Sequence, residues 1–213
     1  MSLPVEPDQI DAIIFDFGGV LYNIDYNLPV QAFRDLGLKN FDQIFTQGNQ
    51  NKLLDDLEIG TIDQAQFLNG LRDYFDSDVS DEKLLKAWNA ILIDIPKSRI
   101  DLIHRLRNKY RTFLLSNTNE IHVRTFEKDI EQCMGTAYFK SAFESIYYSN
   151  DLHMRKPDGE IYYELIKRHQ LNPGRTLFID DTEQHVSGAR AVGLNGYLFK
   201  VEGDELERLF EGW

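Results

Sequence analysis

Five short apolar runs punctuate the chain: Ala12-Ile13-Ile14-Phe15, Thr112-Phe113-Leu114-Leu115, Ser145-Ile146-Tyr147-Tyr148, Thr176-Leu177-Phe178-Ile179 and Gly196-Tyr197-Leu198-Phe199. Such short runs, without strict alternation, predict strands covered on both faces. Each is separated from the next by enough chain for a helix. Helices are expected over Arg99 to Asn108, Asp158 to His169, Glu183 to Val192 and Asp204 to Phe210. Strands alternating with helices predict an α/β fold with a parallel sheet.

The first two runs lie about ninety residues apart, far more than one crossover helix requires, so something is inserted between them. The pattern there is helical. Thr61-Ile62-Asp63-Gln64 has the form of a capping box, and Phe67, Leu68, Leu71, Tyr74 and Phe75 follow at helical spacing. Leu84, Leu85, Trp88, Ile91 and Leu92 mark a second amphipathic helix, closed off by Pro96. The division expected is a core domain of residues 1–22 and 96–213 around a helical cap domain of residues 23–95.

Composition narrows the function classes. The 213 residues are 42% hydrophobic and 12% aromatic, enough for one generous core with an attachment and too apolar for a disordered chain. With 23 basic against 35 acidic residues the formal net charge is −12, a surface that repels polyanions and argues against nucleic acid or an anionic membrane as partner. The single cysteine, Cys133, has no partner for an intramolecular disulfide, which fits a reducing compartment. No apolar stretch approaches the length of a membrane span, and the N-terminus lacks a basic start with an apolar run, so a cytoplasmic protein is expected. No obligate protein partner is expected.

Ligands of an open parallel sheet bind beyond the carboxyl ends of its strands. Asp16 with Gly18-Gly19 follows the first run, Ser116-Asn117-Thr118-Asn119 the second and Asp180-Asp181 the fourth, while Arg155-Lys156-Pro157 leads into the helix before the fourth. Taken singly, these residues have ordinary readings: Asp180-Asp181 and Ser116 could cap helices, and Lys156 could be solvated. Taken together, three carboxylates in one place need a cation, and hard oxygen ligands point to magnesium. Lys156 and the Ser116 hydroxyl would serve an anion, for which phosphate is the natural candidate.

Phe15-Asp16-Phe17-Gly18-Gly19-Val20-Leu21, Leu114-Leu115-Ser116-Asn117, Arg155-Lys156-Pro157 and Phe178-Ile179-Asp180-Asp181 resemble, in order and spacing, the four motifs of the haloacid dehalogenase-like hydrolases. The wording Ser116-Asn117-Thr118-Asn119 and Met154-Arg155-Lys156-Pro157 is similar to the branch with bacterial alpha-glucose-1-phosphate phosphatase and the N-terminal phosphatase domain of soluble epoxide hydrolase. The resemblance implies a Rossmann-like core with an inserted α-helical cap, and a magnesium-dependent phosphatase acting on a small phosphorylated metabolite, plausibly a sugar phosphate. It implies Asp16 as nucleophile, Ser116 and Lys156 on the phosphoryl group, and Asp16, Asp181, the Gly18 carbonyl and Asp180 as ligands or organisers of Mg²⁺. Asn117, Gly19, Asp25 and His185 are expected on the substrate side.

One position departs from the usual phosphatase pattern. The aspartate that commonly stands two residues after the nucleophile, where it protonates the leaving group, is here Gly18; His185 and Asp25 are the candidate replacements. Two rival readings follow from that glycine. One is a 2-haloacid dehalogenase, which needs neither this acid nor a metal, but the Asp180-Asp181 pair argues against it because extra carboxylates would raise the nucleophile's pKa. The other is a weakly active member that binds a phosphorylated ligand and docks a partner through its cap.

Overall fold

In the computed structural model, residues 3–43, 45, 51–201 and 205–213 are described. All five apolar runs are strands. β1 (Ala12–Phe15), β4 (Arg111–Ser116), β5 (Ser145–Tyr148), β6 (Thr176–Asp180) and β7 (Asn195–Leu198) form one parallel sheet in the order β5-β4-β1-β6-β7. β1 is central and wholly buried, and its successive residues serve opposite faces, as a pleated strand requires. Ile13 and Phe15 pack with α5 (Lys97–Leu106), α6 (Glu120–Cys133), α7 (Thr136–Ser141) and α11 (Leu206–Leu209); Ala12 and Ile14 pack with α9 (Gly159–His169) and α10 (Glu183–Ala191). The α/β class holds.

Between β1 and β4 the chain forms α1 (Asn27–Asp35), α2 (Lys52–Glu58), α3 (Gln64–Phe75) and α4 (Asp81–Asn89), which share a second apolar cluster. Trp88 sits at its centre, with ring centroids of Phe67, Phe45 and Phe41 at 4.9, 5.2 and 6.4 Å. Each such aromatic, once buried, contributes on the order of 1.5–3 kcal/mol. The chain enters this insertion through β2 (Asn23–Ile24) and leaves it through β3 (Leu92–Asp94), which pair antiparallel, with the Asn23 amide donating to Asp94 at 2.7 Å.

Several expectations need correction. The capping box starts at Asp63, not Thr61: the Asp63 carboxylate accepts from Gln66 N at 2.9 Å and Asp63 N donates to the Gln66 side chain at 2.9 Å. Thr61 is engaged elsewhere, its hydroxyl donating to the Asp56 carbonyl at the end of α2. The second insertion helix stops at Asn89, because Leu92 must turn to pair with Ile24 in β3. The last helix covers Leu206–Leu209; its expected start at Asp204 lies outside the described residues. Helix α6 has no counterpart among the predicted elements, since its apolar positions Ile121, Phe126 and Ile130 are sparse among charges. No described helix is long and apolar enough to cross a membrane.

Candidate active site

Asp16 follows β1 directly, and its N–H donates to the Ile179 carbonyl at 2.9 Å, so the residue is fixed by the sheet ladder even as the chain turns away. Asp180 ends β6 and Ser116 ends β4, on either side. The turn after Asp16 needs glycine at position 19: its φ is +76°, and a Cβ there would stand 2.2 Å from the Asp181 carboxylate. At Gly18 an added Cβ would meet Ile24 of β2 at 3.1 Å, so the place where a second aspartate commonly stands is roofed by an apolar side chain.

Lys156 is completely buried. Its ammonium donates to Asp16 at 2.7 Å, Asp180 at 2.6 Å and the Leu115 carbonyl at 3.0 Å, filling its three donor positions. The loop that carries it is clamped to β4 by Asn117, whose amide donates to the Lys156 carbonyl and accepts from Lys156 N–H, both at 2.9 Å. Asn117, expected on the substrate side, thus spends its polar atoms on positioning the lysine, though it also lines the cavity.

Ligand oxygens of Asp16, Asp180 and Asp181 lie within 4.8 Å of one another. Burial pushes the Asp16 carboxyl up to about 7, the Asp180 charge adding and Lys156 opposing. Burial and the Asp180 charge likewise push Asp181 up to about 7, again against Lys156. For Asp180 the burial effect is outweighed by Lys156 and His185, which hold it down at about 2. Its oxygens accept from Thr182 N–H at 2.8 Å and lie 3.0 and 3.1 Å from His185 Nδ1. Asp180 is therefore hydrogen-bonded on all sides, whereas Asp16 and Asp181 carry the excess negative charge. This donor set fits a hard divalent cation.

A cavity opens on Asp16 and Asp181 of this cluster. Asp16, Gly18, Ser116, Asn117, Lys156, Asp181 and His185 line it from the sheet side, and Ile24, Tyr26, Glu58, Trp88 and Ile91 from the insertion. Asp25 is not among these residues: its carboxylate accepts from Asn27 N–H at 2.8 Å, at the start of α1, and it lines an adjoining groove that shares Asp181, Ile24 and Tyr26 with the cavity. Of the two stand-ins for the missing acid, His185 lines the cavity itself and Asp25 the adjoining groove. Sequence reasoning missed Glu58 and Arg155 as lining residues, although Arg155 stands beside Lys156 in the quoted motif; Trp88, expected as core, is both core and wall.

A buried acid cluster around one lysine, at the carboxyl ends of parallel strands and under a helical insertion, defines a hydrolase class, and the family model for haloacid dehalogenase-like hydrolases matches residues 10–193. The chain belongs to the haloacid dehalogenase-like hydrolase family. D-ribitol-5-phosphate phosphatase of Bacteroides thetaiotaomicron is 30% identical over 189 residues, 89% of this chain and 91% of that protein. A phosphatase of Mycobacterium tuberculosis is 25% identical over 200 residues, 92% and 89% of the two chains. A HAD family enzyme of Bacteroides thetaiotaomicron, solved as wild-type protein with magnesium and inorganic phosphate, matches with a TM-score of 0.82 at 33% identity, covering 94% of this chain and 99% of that one. A dehalogenase at 17% identity, with a TM-score of 0.59, shares the fold alone.

Proposed function

We propose that the chain is a magnesium-dependent phosphatase that hydrolyses a small phosphorylated metabolite, a sugar or sugar-alcohol phosphate, through an aspartyl-phosphate on Asp16. The observation that carries this reading is the cluster of Asp16, Asp180 and Asp181 around the buried Lys156. The phosphatase names of the relatives, and the magnesium and phosphate in a related structure, support it.

Asp16 attacks phosphorus with one carboxylate oxygen as the bond to the leaving oxygen breaks; water then cleaves the acyl phosphate and restores the carboxylate. Lys156 holds the nucleophile ionised and offsets charge on the transferring group. Ser116, buried at the end of β4 with its hydroxyl donating to the Asn117 carbonyl at 3.3 Å, would turn that hydroxyl to a phosphoryl oxygen. Asp16, Asp181 and the Gly18 carbonyl would hold magnesium, which supplies charge neutralisation for the phosphoryl oxygens. Asp180 sets the position of Lys156. Residues 23–95 act as the cap that supplies the leaving-group side of the cavity. A dehalogenase has no use for the Asp181 carboxylate beside its nucleophile.

Phosphate release from sugar phosphates and sugar-alcohol phosphates, with magnesium or with EDTA, tests this directly. Release that requires magnesium is expected; none from any ester, by folded protein, would reject the reading.

Metal-free protein provides a second expectation. Asp16 and Asp181 titrate near 7 when folded, against a usual value of 3.8. Between those values the folded state binds more protons than the unfolded one, so metal-free stability falls as pH rises through that window. Magnesium replaces those protons. Its stabilisation, read as a shift in thermal midpoint, should be larger at about pH 8 than at about pH 5.5. Equal shifts would argue against Asp16 and Asp181 as the metal's seat.

A further inference from the structure

The insertion side of the cavity has a charge pattern of its own. Arg155 points there from the loop before α9, and two carboxylates of α2, one turn apart, converge on it: Glu58 at 2.9 Å and Asp55 in closer contact. Glu58 and Arg155 both line the cavity, with side-chain exposures of 14% and 22%. Among the described lining residues the permanent cations are Lys156 and Arg155. Lys156 is committed to Asp16 and Asp180.

One guanidinium against two carboxylates leaves Arg155 with no charge unmatched. Among the described lining residues, a second phosphate or a carboxylate on the leaving group would find no unmatched cation, and would meet Glu58. A hydroxyl meets the opposite situation: Glu58 lines the cavity, and a carboxylate, with about four acceptor positions, can take an O–H donor besides its guanidinium partner. Apolar faces of Trp88 and Ile91 complete the wall and suit the C–H edge of a carbon chain.

We propose that Glu58, held by Arg155, is a specificity-determining residue: it accepts a hydrogen bond from a hydroxyl of the leaving group and excludes leaving groups that carry a second anion. The substrate class is then monophosphates of uncharged polyhydroxyl compounds. This rests on the phosphatase reading above.

The test measures kcat/KM for a pentitol phosphate, a sugar bisphosphate, phosphoglycolate and acetyl phosphate, whose small leaving group carries no hydroxyl. Wild-type protein should favour the pentitol phosphate over the bisphosphate and phosphoglycolate. In Glu58→Gln the ratio of pentitol phosphate to acetyl phosphate should fall about 10- to 100-fold, the loss expected for a hydrogen bond to a charged acceptor, and discrimination against the bisphosphate should narrow. The proposal is overturned if wild-type protein takes the bisphosphate or phosphoglycolate as readily as the pentitol phosphate. It is equally overturned if Glu58→Gln lowers all four substrates in proportion, which is what mere loosening of the clasp would do. Absence of magnesium-dependent release even from acetyl phosphate would remove it by removing the phosphatase reading itself, and is distinguishable from both.

Discussion

Asp16→Asn should lower phosphate release by on the order of 10⁴-fold or more while leaving a folded protein that is, without metal, more resistant to heat at neutral pH than the wild type. On the proposed mechanism the amide removes the nucleophile, so no acyl phosphate can form. It also removes one of the carboxylates that burial and Asp180 push up to about 7, and with it part of the repulsion that magnesium would otherwise relieve. The two effects have opposite signs and separate measurements: malachite-green detection of phosphate for the first, thermal unfolding in EDTA for the second. A variant that lost activity only because it failed to fold would show the reverse thermal shift. Residual turnover within about tenfold of wild type would require another nucleophile and would reject the role of Asp16.

Lys156→Met should instead destabilise the protein. The ammonium is fully buried and its three donors are taken by Asp16, Asp180 and the Leu115 carbonyl. Methionine fills much of the same volume but leaves two buried carboxylates without their counter-charge, a loss of roughly 3–5 kcal/mol when one partner of a buried ion pair is removed. The sign with pH follows. The orphaned carboxyls have folded pKa values above their unfolded ones, so the deficit grows as pH rises and shrinks toward about pH 4, where they can stay protonated. Urea denaturation at two pH values in EDTA reads this out. A pH-independent deficit would show that packing, not charge, sets the cost.

The sheet and the loops that carry the acid cluster were legible because they depend on local signals. Each apolar run became a strand, and an acid directly after a buried strand and before Gly18-Gly19 fits poorly with a purely structural turn. Lys156 could be recognised only through its neighbours in the motif, since a lysine before proline looks solvated until the chain is folded. The insertion was legible in kind and not in detail. Leu92 continues the helical stripe of Leu84, Leu85 and Trp88, and only the need to pair with Ile24 turns it into a strand. Asp25 has the loop position of a cavity residue, yet its carboxylate is turned to Asn27 instead. Glu58 and Arg155 were beyond reach for a different reason. They meet across 97 positions of sequence, and nothing local to either residue encodes the encounter.

The antiparallel pair β2–β3 has a consequence for how such a chain can change. It brings the two ends of the insertion side by side, so the chain departs from the sheet and returns to it at nearly one point. Closing a longer or shorter excursion between fixed ends costs little, because the entropy of loop closure grows only with the logarithm of length. Helices can therefore be added, lost or exchanged between Ile24 and Leu92 without altering the distance from Asp16 to Ser116, and the reacting groups keep their spacing while the roof above them is rebuilt.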